Sequence, residues 1–227
     1  MGWERYAVYA LPDGALGAAG AAWLGWDARA GRAVAQPEVP GLPRPAAELT
    51  ERARRYGFHA TIKPPFRLAE GRTEAELRAA FDAFCARAWP ARAEGLAVAA
   101  VGPFLALRPE GGAAELDRLA CATVEVLDAF RAPADAAELA RRRKPGLSPR
   151  QEALLRRWGY PYVMEEFRFH VTLTGPLDDA ERAAAEAALA AHFAPVAPRP
   201  FRVARLALMG EDAEGRFHAV HEAALSG

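Results

Sequence analysis

In the stretch "RYGFHATIKPPF", residues 55 to 66, apolar and polar positions alternate. Read with the side-chain period of a strand, Tyr56, Phe58, Ala60 and Ile62 fall on one face, with Gly57, His59, Thr61 and Lys63 on the other. The first face reads as core, Tyr56 included. The alternation returns without a gap in "EFRFHVTLTGPL", residues 166 to 177, where Phe167, Phe169, Val171 and Leu173 stand opposite Arg168, His170, Thr172 and Thr174. Phe169 aligns on Phe58, His170 on His59, Thr172 on Thr61 and Pro176 on Pro65.

The elements after these two strands also repeat. "TEAELRAAFDAFCARA" opens with Thr73 three residues before Glu76, a capping box, and carries an apolar stripe at Leu77, Phe81 and Phe84. "GLAVAAVG" and "PFLALRP", parted by Gly102 and Pro103, then predict paired strands near a sheet centre. In the second half a helix opens at Asp178 with Glu181 at its third position, and "FRVARLALMG" and "RFHAVHEAAL" supply two strands. One supersecondary unit, strand with His-x-Thr, helix, strand, strand, is present twice.

Around these units, "WERYAVYAL" predicts a first strand and "GALGAAGAAWLGW" a small-residue helix. Four prolines in residues 35 to 45 predict an extended connection, followed by a short helix. Residues 112 to 160 are helical in character; the last of these helices takes Ser148 as N-cap, Pro149 at its first position and Gln151 at its third, and stops at Gly159. The expected architecture is α+β: a single bilobal domain over 1–227, with two pseudo-twofold-related antiparallel sheet lobes, outer helices and a cleft between them. Lobe 1 takes about 1–111, lobe 2 about 161–227, and the helical connection, a partial lid, about 112–160.

At 227 residues and 52% hydrophobic, the chain can bury a core without staples. Cys85 and Cys121 lack any metal-ligand spacing and read as small buried hydrophobes in a reducing, cytoplasmic setting. No signal peptide and no membrane-spanning run are expected from the sequence. With 29 basic and 29 acidic residues the chain lacks the broad basic field of a long-polyanion binder, so no long nucleic acid is expected as partner. A small anionic ligand in a local basic pocket fits this balance.

Packing constrains the apolar face of a strand and leaves the polar face free, so a His-x-Thr repeated in the same phase points to chemistry. If the halves face each other, His59 and His170 share one site with Thr61 and Thr172 beside them. Two imidazoles titrating near neutrality can divide the roles of general base and general acid, and threonine hydroxyls can donate to phosphoryl oxygens. Such a site needs no metal and no cofactor. The copies are too alike for the sequence to say which histidine is acid and which is base.

His59-Ala60-Thr61-Ile62 and His170-Val171-Thr172-Leu173 resemble the paired motifs of the two-histidine (2H) phosphoesterases. The longer strings "RYGFHATIKPPFRL" and "ELARRR…GLSPRQEALLRRWGYPYVMEEFRFHVTLTGPL" resemble a bacterial branch of that superfamily associated with phosphonate-degradation operons, over essentially the whole chain. The resemblance implies a bilobal fold and metal-free hydrolysis of a cyclic phosphodiester. By the operon association, it implies a ribose cyclic phosphate such as 5-phosphoribosyl 1,2-cyclic phosphate.

Strand phase adds candidates for substrate contact: Lys63 and Arg168 share the histidine faces, and Thr174 takes the place of Lys63 in the second copy. Tyr160 and Tyr162 read either as cleft border or as packing of the connection. The cluster "RRRK" at 141–144, with Arg143, reads either as a solvated helix end or as a phosphate clamp. His218 and His221 are expected on opposite faces of a strand and without a metal, and His192 at a helix end. Two other readings remain open at this point: a 2′,3′-cyclic nucleotide or RNA-end phosphodiesterase, and a non-catalytic module binding a phosphorylated sugar or nucleotide.

Overall fold

Three helices start at the capping residues that predict them. In the computed structural model, which describes residues 2–143 and 146–227, Thr73 caps α4 (Glu74–Cys85), Ser148 caps α7 (Pro149–Trp158) and Asp178 caps α8 (Asp179–Phe193). Each is a full capping box, with Glu76, Gln151 or Glu181 returning a bond to the cap backbone. The small-residue helix is α1 (Gly14–Leu24), and Gly25 ends it at φ 75°. Beyond it lie a two-residue ladder, β2 (Trp26–Asp27) with β3 (Arg32–Ala33), the extended proline segment, and the short helices α2 (Ala46–Leu49) and α3 (Glu51–Arg54).

The main sheet holds seven strands, and every pairing in it is antiparallel. From one edge the order is β11 (Phe217–Ala224), β10 (Arg205–Glu211), β1 (Arg5–Ala10), β4 (Ala60–Phe66), β8 (Val171–Thr172), β7 (Phe104–Glu110) and β6 (Gly95–Val101). Helices α5 (Ala114–Val126) and α6 (Ala136–Arg142) lie in the expected helical region.

The strands are distributed differently from the two lobes expected along the chain. The first-half hairpin β6–β7 extends the sheet beside second-half β8, and the second-half hairpin β10–β11 extends it beside first-half β1. The sheet is therefore continuous across the two His-x-Thr strands. β6 is an edge strand, not a central one. Local alternation marks a strand without naming its neighbour, which is decided by contacts distant in sequence. Each half also holds a short extra strand, β5 (Ala91–Ala93), which the periodicity misses, and β9 (Phe201–Val203), which it merges with β10, and these pair with each other: Ala91 with Val203, Ala93 with Phe201.

One face of the sheet carries the principal core. Val8, Ala60, Ile62, Leu105, Leu107 and Val171 pack there with Trp23 of α1, Phe81 of α4, Leu116 of α5 and Leu189 of α8. α5 thus belongs to the core and not to a lid. The opposite face carries a smaller cluster at its β1–β10 end, built on Tyr9, Trp26, Met209 and Phe217. Cys85 is buried and Cys121 half-buried, both as free thiols.

Candidate active site

Both histidines stand one residue ahead of their strands, and the pairing of Ala60 with Val171 aligns them. Because β4 and β8 run antiparallel, Thr61 comes opposite His170 and His59 opposite Thr172, so the four side chains rise from one face. The β1 partner of Thr61 is Tyr9, and the β7 partner of Thr172 is Ala106. This face is opposite the one that packs against α1, α4, α5 and α8.

A shared local device orients the rings. His59 Nδ1 lies 2.9 Å from the carbonyl oxygen of Gly57, and His170 Nδ1 lies 2.7 Å from that of Arg168. A carbonyl only accepts, so each ring donates from Nδ1 and presents the lone pair of Nε2. The Thr61 hydroxyl donates to His59 Nε2 at 3.0 Å. Gly57 is required for this turn: its φ is 73°, and a Cβ there would stand 2.7 Å from the Cβ of Ala28. That turn also ends the strand phase early, so Tyr56 leaves the principal core and packs half-buried on the smaller cluster of the opposite face, 6.2 Å from the His59 ring and stacked on Phe217.

Tyr9 lies against His59 with ring centroids 3.7 Å apart and planes 22° apart. Burial lowers the His59 pKa to about 4, with the Gly57 carbonyl opposing that shift and His170 adding to it. His170 is lowered as well, by burial first; the Arg168 carbonyl opposes this and the Arg108 guanidinium adds to it. Burial thus favours the uncharged form of both rings. A pair of neutral imidazoles and two hydroxyls on one face can accept a proton, return one, and donate hydrogen bonds to an anion between them.

Lys63 and Thr174 do not join the four on this face. Lys63 is 2% exposed; its Nζ donates to the Val124 carbonyl at 3.2 Å and pairs with Asp128 at 3.3 Å. A bulge explains this. Tyr9 pairs with Thr61 but Val8 pairs with Lys63, so an extra residue intervenes in β4 and Lys63 turns to the core face with Ile62. Burial brings its pKa down to about 8 despite the opposing Asp128 charge.

Thr174 is buried beyond the end of β8, where its hydroxyl accepts from the Leu105 N–H at 3.0 Å and donates to the Gly175 carbonyl at 2.8 Å. Arg168 is exposed and folds back onto the Glu165 and Phe167 carbonyls. Arg143 is exposed and paired with Glu152; Lys144 of the same cluster lies outside the described residues. Tyr160 is half-buried, edge-on to Tyr162 and under the Arg142 guanidinium.

The histidines of β11 are also rearranged by a bulge. His218 pairs with Gly210 and His221 with Leu208, same-parity positions of β10, so strand phase does not set them on opposite faces. His218 binds Asp212 at 2.7 Å and His221 binds Asp82 at 2.6 Å.

Two features escape the sequence reading. One is Arg108, which strand phase in "PFLALRP" sets with Phe104 and Ala106 away from the buried Leu105 and Leu107; that alternation was the available signal. The other is a cavity of about 430 Å³ lined by Arg5, Arg67, Arg141 and Arg142 together with Glu4, Glu138 and Glu211. Its arginines come from distant segments, which no local pattern joins. Arg5 is held by Glu211, Arg67 by Asp135 and Glu138, and Arg142 by Glu138.

Fold and site together define a mixed α/β protein whose antiparallel sheet presents two copies of one His-x-Thr strand motif on a single face. The chain belongs to the family described as "Protein of unknown function (DUF1045)", whose model matches residues 61–218 and so takes in Thr61, His170 and Thr172.

It is 42% identical over 221 residues to a protein of Janthinobacterium sp. (strain Marseille) named "Ribose 1,5-bisphosphate phosphokinase PhnN", covering 93% of this chain and 48% of that protein. A protein of the same name from Laribacter hongkongensis (strain HLHK9) is 43% identical over 191 residues, 83% of this chain and 44% of that protein. The chain spans about half the length of these curated relatives. A crystal structure of TT0787 of Thermus thermophilus aligns over 98% of both chains with 17% identity and a TM-score of 0.43. Among the described residues no helix is long and apolar enough to cross a membrane.

Proposed function

We propose that the chain is a cyclic phosphodiesterase that opens a ribose-linked cyclic phosphate, with 5-phosphoribosyl 1,2-cyclic phosphate as the substrate. The observation that carries this reading is the arrangement of His59, Thr61, His170 and Thr172 on one face, with both Nδ1 atoms tied back to carbonyls. The finer symmetry belongs to the same proposal: an approximate twofold passes beside the Ala60–Val171 pair, and the equivalent strands β5 and β9 pair across it as well.

His59, stacked on the buried Tyr9 and the more strongly lowered of the two, acts as base. Its Nε2 takes a proton from water as the water oxygen forms a bond to phosphorus. The bond from phosphorus to the ribose 2-oxygen breaks, and His170, protonated on Nε2 once the anionic substrate is bound, gives that oxygen its proton. With substrate bound, the Thr61 hydroxyl turns from His59 Nε2, and Thr61 and Thr172 donate to the equatorial oxygens, where charge rises. No step calls for a metal or a cofactor.

Breaking the bond to the 2-oxygen leaves phosphate on carbon 1 beside the phosphate on carbon 5, which is the ribose 1,5-bisphosphate of the relatives' name. We assign kinase activity to the part of those relatives that this chain does not span. Here Lys63 and Lys144 each precede proline, and neither follows the glycine of a G-x-x-x-x-G-K-[ST] phosphate loop.

The stacked Tyr56 and Phe217 near His59 support a second reading, a 2′,3′-cyclic nucleotide whose base rests on them. The test follows phosphorus NMR of both substrates with the wild type, His59→Ala and His170→Ala. Turnover of the ribose 1,2-cyclic compound should be lost in either variant while thermal melting is kept. Near wild-type rates in His170→Ala would sink the paired mechanism, and tight binding without product would favour a binding module.

A further inference from the structure

The register that unites the histidines extends one strand further. Ala106 pairs with Thr172 and Leu107 with Val171, so the next position brings Arg108 opposite His170. One row across the sheet thus reads Tyr9, Thr61, His170, Arg108, Ala97, and the next reads His59, Thr172, Ala106, Ala99. Neighbouring strands lie ~4.8 Å apart, so the base of Arg108 stands one strand spacing beyond His170 and about 10 Å beyond Thr61. The floor around it is alanine, and Phe104 bounds it at 5.8 Å from the His170 ring.

We propose that Arg108 is a specificity residue that holds the second, non-reacting anionic group of the substrate, a terminal phosphate, while the cyclic phosphate lies among His59, Thr61, His170 and Thr172. The inference rests on the cyclic phosphodiesterase reading and deepens it. Arg5, Arg67, Arg142 and Arg143 are matched by carboxylates, whereas among the described residues the Arg108 side chain has no hydrogen bond and no ion pair. It is exposed on the candidate site's face, close enough to His170 to disfavour a proton there.

An unmatched cation beside a proton donor opposes that donor until an anion neutralises it. A phosphate does so, and the planar guanidinium suits it through two parallel hydrogen bonds. One to two strand spacings separate Arg108 from the quartet, a span that suits two phosphates at opposite ends of one sugar ring. Lys63, which strand phase offered for this task, is engaged by Asp128.

The test uses the full chain with two synthetic substrates, 5-phosphoribosyl 1,2-cyclic phosphate and ribose 1,2-cyclic phosphate with a free 5-hydroxyl. Arg108→Ala should raise KM for the first at least about thirtyfold, the loss typical of truncating a hydrogen-bonded charge pair. It should leave kcat/KM for the second within about twofold, and Arg108→Lys should recover part of the loss. Equal losses on both substrates would put Arg108 at the reacting phosphate and overturn the inference while leaving the hydrolytic reading intact. No loss on either would also overturn it. Wild type that turns over neither substrate overturns the hydrolytic reading. A measurement without turnover separates the two ideas: calorimetric binding of ribose 5-phosphate should weaken in Arg108→Ala and Arg108→Gln, and an unchanged Kd refutes the assignment.

Discussion

Acid should distinguish His59 from an ordinary histidine. In the folded protein its pKa is lowered from 6.5 to about 4, chiefly by burial, with its ring stacked on Tyr9. In the unfolded chain it titrates near 6.5, so between these values the native state binds fewer protons. The sign follows directly: this contribution to stability is present above pH 6.5 and is lost as the pH falls through about 4. At about 1.36 kcal/mol per pH unit, the gap corresponds to about 3 kcal/mol.

At pH 5 about nine-tenths of native His59 is neutral, against about 3% for an unperturbed imidazole. Urea denaturation of wild type and His59→Asn at pH 7, 6 and 5 measures the effect, because asparagine does not titrate. Wild type should lose more stability than the variant over that range, and the imidazole resonances of His59 should titrate with a midpoint near 4, its proton on Nδ1. A midpoint at or above about 6.5, or identical losses in the two proteins, would refute the argument from burial and stacking.

Three further outcomes follow from placement. Lys63→Ala leaves the Val124 carbonyl without its donor and Asp128 with one cation fewer, so it should cost about 3 kcal/mol in denaturation while barely changing KM. Gly57→Ala must strain a φ of 73° and push against Ala28, at about 1–3 kcal/mol, and it should reduce kcat because the Gly57 carbonyl orients His59. Thr172→Val should lower kcat about a hundredfold with little change in melting, while Thr174→Val should lower the melting temperature and spare kcat; matching effects of the two would contradict the placement.

Thr172 and Thr174 also show how far the sequence reaches. Periodicity sets both on one face, and their roles part because β8 ends at Thr172 and the chain then turns so that the Thr174 hydroxyl serves the Leu105 N–H. Local chemistry read well where it acts locally: the capping boxes at Thr73, Ser148 and Asp178, and the alternation in β7 that buries Leu105 and Leu107. It failed where a partner strand decides. The bulge that turns Lys63 inward is a property of β4 against β1, and the bulge that realigns His218 and His221 is a property of β11 against β10. The edge position of β6 likewise depends on which hairpin joins which strand, and nothing in "GLAVAAVG" states it.

The exchange of hairpins between the halves bears on how the protein is made. While the chain emerges from the ribosome, β4 and β7 are complete long before Val171, the residue that joins them through β8, has been added. Until then both strands carry open edges in a nascent chain, with their apolar Ile62 and Leu107 faces already formed. The sheet closes late, first where the two-residue β8 joins β4 to β7 and then where β10 covers β1, so the second half of the chain governs when the nascent protein ceases to be prone to aggregation.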